Sequence, residues 1–167
     1  MIVYRIVHNT VKQLLIGSGN EGRWCSNGRK VICTSSSVAL ACLENILRRG
    51  GSGFSSDFRT IFYEIPDDII TEEVQIKDLN ADWRLRSSYI YCQTTGNRWY
   101  DKKDSLVLKV PSAIISDEFN YVVKTPSGNI DRIKIMDDKP FMPDERLENI
   151  LMSVDINKLK KLSTAGK

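Results

Sequence analysis

Short runs of alternating apolar and polar residues, set around one strongly amphipathic stretch, constrain this chain more than any other feature. Val3–His8 (VYRIVH) and Arg59–Pro66 (RTIFYEIP) alternate with period two, as half-buried strands do, and the second stops at a proline. Ser105–Ile115, Phe119–Lys124 and Asp131–Met136 read the same way, and Glu73–Lys77, with Glu72 before it, reads as a further strand. Between them Ser35–Gly51 (SSSVALACLENILRRGG) predicts a helix: serines to cap its start, apolar residues at helical spacing, arginines in its last turn and glycines beyond. Aromatic spacing predicts a second helix over Tyr89–Lys102, interrupted by Gly96, and a last one beginning near Pro143 and carrying Leu147, Ile150 and Leu151. Many strands, few helices and no regular βαβ alternation imply an α+β single domain with a mixed, mostly antiparallel sheet.

The glycines of Gly17-Ser18-Gly19-Asn20-Glu21-Gly22 fit the G-x-G-x-x-G pattern of dinucleotide loops. That pattern works when a helix follows and turns its free N–H groups on a pyrophosphate. Here Arg23 to Gly28 follow with turn formers, then the strand-like Arg29–Thr34, so the motif lacks its context. What remains notable is the exit of the loop, Gly22-Arg23-Trp24.

Composition narrows the function classes. With 167 residues, 41% hydrophobic and 27% charged, the chain is of ordinary globular make-up and long enough for one core. A net charge of +3 spread along the sequence has no clustered basic footprint for nucleic acid. The basic tail from 153 to 167, with Asn157–Lys167 its richest part, reads as a solvated end after a domain over 1–152. No apolar run is long enough to span a bilayer and no signal-like segment opens the chain, so the expectation is a cytoplasmic protein without membrane contact. Four cysteines, Cys25, Cys33, Cys42 and Cys92, contain no C-x-x-C pair and have a single histidine, His8, beside them, which suits free thiols better than zinc or a Cys–His nucleophile.

Three polar residues stand out against this background. Leu40, Leu43 and Leu47 predict the buried stripe of the first helix, and Glu44 sits on its edge. A carboxylate there either turns inward to a donor or outward to Arg48, four residues on. Arg23 has the planar fork suited to a phosphate, or stacks on an indole at the surface. In Val110-Pro111-Ser112-Ala113 a proline ends a strand and leaves the Ser112 hydroxyl at its edge, although a serine after proline is usually a turn residue.

These residues resemble the RES-domain toxins, a family named for an arginine, a glutamate and a serine. The resemblance runs through YRI (Tyr4–Ile6), GRWCSNG (Gly22–Gly28), TSSSVALACLE (Thr34–Glu44), NADW (Asn80–Trp83), QTTGNRW (Gln93–Trp99), LKVPSAI (Leu108–Ile114), EFNYVVK (Glu118–Lys124) and PFMPDERL (Pro140–Leu147), in order and with agreeing spacing. It implies a fold similar to that of ADP-ribosylating toxins and depletion of cellular NAD as substrate, with no bound cofactor and no metal. It also implies a homodimer, neutralised by an antitoxin whose helix-turn-helix part carries the DNA contact. Residue by residue, the family's triad falls on Arg23, Glu44 and Ser112, with Arg5 and Asn120 at further polar positions; Cys33, at the end of the strand leading into the Glu44 helix, is expected to face the same pocket, or else to pack as a small apolar residue while Trp24 covers the ligand. Cys33 stands where the family usually has a tyrosine, and Lys124-Thr125-Pro126 where it usually has asparagine-proline.

The chemistry so implied is cleavage of the nicotinamide–ribose bond. Glu44 stabilises the positive charge on the ribose, Arg23 and Arg5 hold the pyrophosphate, and Ser112 orients the ribose or the amide. Water, phosphate or a protein side chain would serve as acceptor; the last makes the chain a protein ADP-ribosyltransferase. A non-catalytic interaction module is the reading from a different class.

Overall fold

The computed structural model describes residues 1–11, 14–102 and 104–153. Seven strands form one sheet: β1 (Ile2–His8), β2 (Val31–Ser35), β3 (Phe58–Glu64), β4 (Thr71–Glu73), β5 (Val107–Pro111), β6 (Phe119–Lys124) and β7 (Lys134–Pro140). Their order is β4-β5-β6-β2-β1-β3-β7. The β4–β5 ladder is parallel and the others antiparallel, so the sheet is mixed and mostly antiparallel, as the strand pattern predicts. Helix α1 (Val38–Arg48) connects β2 to β3, and α2 (Tyr89–Asp101) lies between β4 and β5.

Directly opposed residues share a face, so register sorts the sheet into two. One face carries Val3, Val7, Ile32, Ile61, Tyr63, Val107 and Val123, a continuous apolar core closed by Leu14, Leu15 and Ile130. The opposite face is covered in two separate pieces. Ile6, Ala41, Cys42, Ile46, Phe54 and Phe58 pack α1 onto β1 and β3. Trp24, Trp83, Cys92 and Trp99 pack α2 and two loops onto Val31, Leu108, Val110 and Val122. Gly96 lets α2 settle: a Cβ there would lie 1.8 Å from the Trp24 carbonyl oxygen. Gly17, first of the loop glycines, is likewise a packing residue, since a Cβ would lie 2.3 Å from the backbone nitrogen of Val31.

Some boundaries move from the sequence expectation. Of the serines before α1, Ser35 still belongs to β2, and Ser37 is the cap, its Oγ accepting from the Leu40 N–H at 3.1 Å. The buried side of α1 is Leu40, Ala41, Cys42, Asn45 and Ile46; Leu47 is 61% exposed, so the expected Leu40–Leu43–Leu47 stripe is not the buried one. The strand expected at Glu73–Lys77 ends at Glu73 and gives way to a 3-10 turn, Ile76–Asp78. Asp131–Met136 is a turn followed by β7, which runs on to Pro140. The last helix covers 145–153, buries Leu151 and leaves Ile150 exposed. The 153–167 tail lies outside the described residues from 154 onward.

Candidate active site

Between the two covered pieces the sheet is open. β2 is an interior strand, yet Cys33 at its centre is exposed while Val31 and Ser35, on the same face, are buried. An exposed side chain in the middle of an interior strand marks the floor of a cleft, with α1 as one wall and the tryptophan-rich piece as the other. Protein packed around the open thiol pushes Cys33 up to about 12, so it stays protonated at neutral pH and is no nucleophile.

Glu44 projects from α1 into this cleft. It is half-buried, and its Oε1 accepts from Asn120 Nδ2 at 2.6 Å. The carboxylate thus turns inward; Arg48, four residues on, acts on it through its field without an ion pair. Burial raises the Glu44 carboxyl above its ordinary range, and the Asn120 hydrogen bond and the Arg23 and Arg48 charges pull it partway back. Asn120 sits opposite both Ser35 and Val110 across β6, so its amide stands on the cleft face.

Arg23 is held by more protein than a free anion clamp would be. Nη1 donates to the carbonyls of Trp83 (2.5 Å) and Leu85 (3.3 Å), and Nη2 to that of Arg84 (2.8 Å). Its guanidinium also stacks 4.4 Å from the centre of the Tyr89 ring. The loop after Gly22 therefore ties down the segment before α2, and the Arg23 charge still reaches Glu44. Trp24 is in the core, 6% exposed and against Trp83, and offers no face to a ligand.

Arg5 lies where the sheet parts. The β1–β2 ladder is the single pair Tyr4–Ser35, and just past it Arg5 stands opposite Ile61, on the Tyr63 face of the sheet, with its charge felt by both Tyr63 and Cys33. Its buried Nη1 has no hydrogen-bond partner among the described residues. A buried donor left open is expensive, which makes this atom a candidate contact for an anion that reaches through the parting of β1 and β2.

Ser112 is buried just past β5, with its Oγ accepting from the N–H groups of Ile114 and Ile115, both at 3.1 Å. It anchors the turn toward β6 and keeps one hydroxyl proton to donate. The Lys124-Thr125-Pro126 departure falls about 13 Å along β6 from Asn120, at ~3.3 Å per residue. There Lys124 Nζ donates to the carbonyls of Trp99 and Lys102 at the end of α2. A pocket of about 770 Å³ at that end is lined by Lys102, Lys124 and Arg132 balanced against Asp68, Asp101 and Asp104, a mixed lining with no convergent charge.

The structure thus brings Glu44 and Asn120 into contact and sets Cys33 and Arg23 around them, with Arg5 on the other face of β1 where β1 and β2 part, and Ser112 and Trp24 in supporting positions. Sequence reasoning missed Ser35, whose Oγ donates to Asn120 Oδ1 at 2.7 Å, because one serine in a run of three carries no distinguishing signal. It also missed Trp83 and Tyr89 as the residues that house Arg23. Among the described residues no group of three or more His, Cys, Asp or Glu could hold a metal, and no helix is long and apolar enough to cross a membrane.

The chain is similar to known proteins over most of its length. The model of the RES domain matches residues 2–144. A protein of Photorhabdus laumondii named Toxin Res is 31% identical over 127 residues, 74% of this chain and 81% of that protein. Another Toxin Res, from Pseudomonas putida, is 31% identical over 154 residues, 88% of this chain and 99% of its own length. A Sphingobium protein named Prs ADP-ribosylating toxin is 25% identical over 138 residues, covering 80% and 86% of the two chains. A family match over most of the chain, with the cleft residues in the matched span, shows that the chain belongs to the RES domain family.

Proposed function

We propose that the chain is a toxin that consumes NAD in the cleft between α1 and the tryptophan-rich piece, by breaking the nicotinamide–ribose bond. The observation that carries this reading is Glu44: a carboxylate held above its ordinary range by burial, fixed by one amide, and facing an open cleft floor. When the bond breaks, nicotinamide leaves with the electron pair and the ribose becomes oxocarbenium-like. A pre-oriented carboxylate in a partly dry site stabilises that charge more than it stabilises the ground state. Arg5 offers its unpaired donor to the pyrophosphate, and Arg23 adds charge while ordering the 83–85 segment. Ser112 supports the wall from which it can donate to the substrate. An oxygen acceptor then attacks the ribose carbon and gives up its proton, so NAD is substrate and no cofactor or metal takes part.

The acceptor divides two readings. Water or phosphate makes the chain an NAD glycohydrolase or phosphorylase; a protein side chain makes it an ADP-ribosyltransferase, which the printed name of the Sphingobium relative favours. Purified protein incubated with NAD, with and without phosphate and with a cell extract, is expected to release nicotinamide in every case. Free ADP-ribose, its phosphorylated form or label fixed on protein then identifies the acceptor. Intact NAD under all three conditions contradicts the reading and leaves a binding module. As a toxin of the cytoplasm, the chain is expected to pair with an antitoxin carrying a helix-turn-helix DNA-binding part, and to form a homodimer. Co-expression relief of a growth defect and light scattering test these.

A further inference from the structure

An ionised carboxylate only accepts hydrogen bonds, so the amide beside Glu44 serves it in one orientation alone. With Nδ2 toward Glu44 Oε1, as at the observed 2.6 Å, Asn120 donates; turned over, its carbonyl oxygen would face the carboxylate at the same distance. Nothing within an asparagine chooses between the two. The ionised carboxylate selects the donor, and at the amide's other end Ser35 Oγ donates to Oδ1 at 2.7 Å and so holds the side chain in that pose.

Ser35 is built for that bond. It is the last residue of β2, 4% exposed, and stands opposite Asn120 in the β2–β6 ladder and opposite Tyr4 in the β1–β2 pair, where three strands meet. Its neighbours are engaged elsewhere: the hydroxyls of Ser36 and Ser37 both donate to Glu118, at 2.8 and 3.0 Å. Ser35 is therefore the hydroxyl that reaches the amide. We propose that Ser35 is a positioning residue for the reaction at Glu44, acting through the Asn120 side chain, which it holds with Nδ2 toward the carboxylate. Oε1 is thereby satisfied and Oε2 left for the ribose. This rests on the reading of Glu44 as the group that meets the substrate.

The charged and titratable groups around Glu44 are Arg48 on its own helix, Arg23 from the loop and Cys33 on the floor, with Arg5 beyond the thiol. None of them changes when Ser35 does. Losing the Asn120 donor removes an influence that lowers the Glu44 carboxyl, so its titration moves upward and the acid limb of the activity profile follows.

The test follows the Glu44 carboxyl carbon by NMR and the pH profile of NAD consumption, in the full chain, for Ser35→Ala, Ser35→Thr, Ser35→Val and Asn120→Ala. Thr and Val are near-isosteric and differ in the hydroxyl, so their comparison separates hydrogen bonding from packing even where Ala perturbs the fold. We expect Ala and Val to raise the Glu44 titration, shift the acid limb upward and lower kcat by roughly tenfold with KM for NAD little changed. Thr should restore both, and Ser35→Ala added to Asn120→Ala should have no further effect. An unmoved titration in the Val variant, or failure of Thr to restore it, overturns the proposal. The NMR readout needs no turnover, so a wild-type protein that leaves NAD intact would contradict the functional reading and not the role of Ser35.

Discussion

At the residue scale the cleft sets Glu44 against the stability of the fold. Burial holds its carboxyl above the ordinary range, so the folded protein binds that proton more tightly than the unfolded chain does. Stability from this group is complete below the unfolded value near 4.5 and is lost as pH rises through the raised folded value. At neutral pH the ionised side chain is then a cost. Glu44→Gln is expected to lower kcat by roughly 10²–10³-fold while melting at the same temperature or higher at pH 7, an advantage that shrinks toward pH 4.5. Melting curves at both pH values check it, and a variant less stable at pH 7 contradicts it. Cys33 gives a second test. Because it opens to the cleft, a tyrosine there has room to project outward, so Cys33→Tyr is expected to tighten NAD binding at a stability cost below about 1 kcal/mol. A loss of roughly 1–3 kcal/mol without catalytic gain would show an overfilled site. Glu44 was legible in the sequence as a carboxylate out of place on an apolar helix, but for an incomplete reason. Leu47 is exposed, and what half-buries Glu44 is the neighbouring strand, which helical periodicity does not contain.

At the element scale, strand β6 was legible to the residue and β7 was not. β6 lies between two strands and is a compact run of aromatic and β-branched residues; β7 is an edge strand, exposed along nearly its whole length, and its Asp137, Asp138 and Lys139 hide the period. Gly96 reads as a flaw in α2 and is instead its point of closest approach to the core. Gly96→Ala should destabilise the protein by about 1–3 kcal/mol, although alanine favours an exposed helix by up to about 1 kcal/mol. Urea denaturation decides, and a stabilised variant would mean that α2 does not seat on Trp24. The segment before α2 shows no period at all, because its order comes from Arg23, far away in sequence, donating to three consecutive carbonyls. Arg23→Lys, which swaps a planar fork for a point charge, should speed amide hydrogen exchange over residues 83–88 and raise KM for NAD. Unchanged exchange would detach that segment from Arg23.

At the scale of the whole molecule, a continuous core backs one face of the sheet while two separate packing units leave a gap on the other, and the cleft is that gap. The α+β class was legible because strand and helix periods survive in the sequence. The cleft was not, because it depends on which strands become neighbours: β2 pairs with β6 along its length but with β1 at one position. The family resemblance supplied the positions of Glu44 and Asn120, and the structure supplies the hydrogen bond between them. The most direct measurement of the central claim is NAD consumption by the purified chain beside Glu44→Gln, both shown to be folded, with nicotinamide release as the readout. The account predicts steady release by the wild type and a loss of at least roughly a hundredfold in the variant. Equal rates in the two, or no release by either, would contradict it.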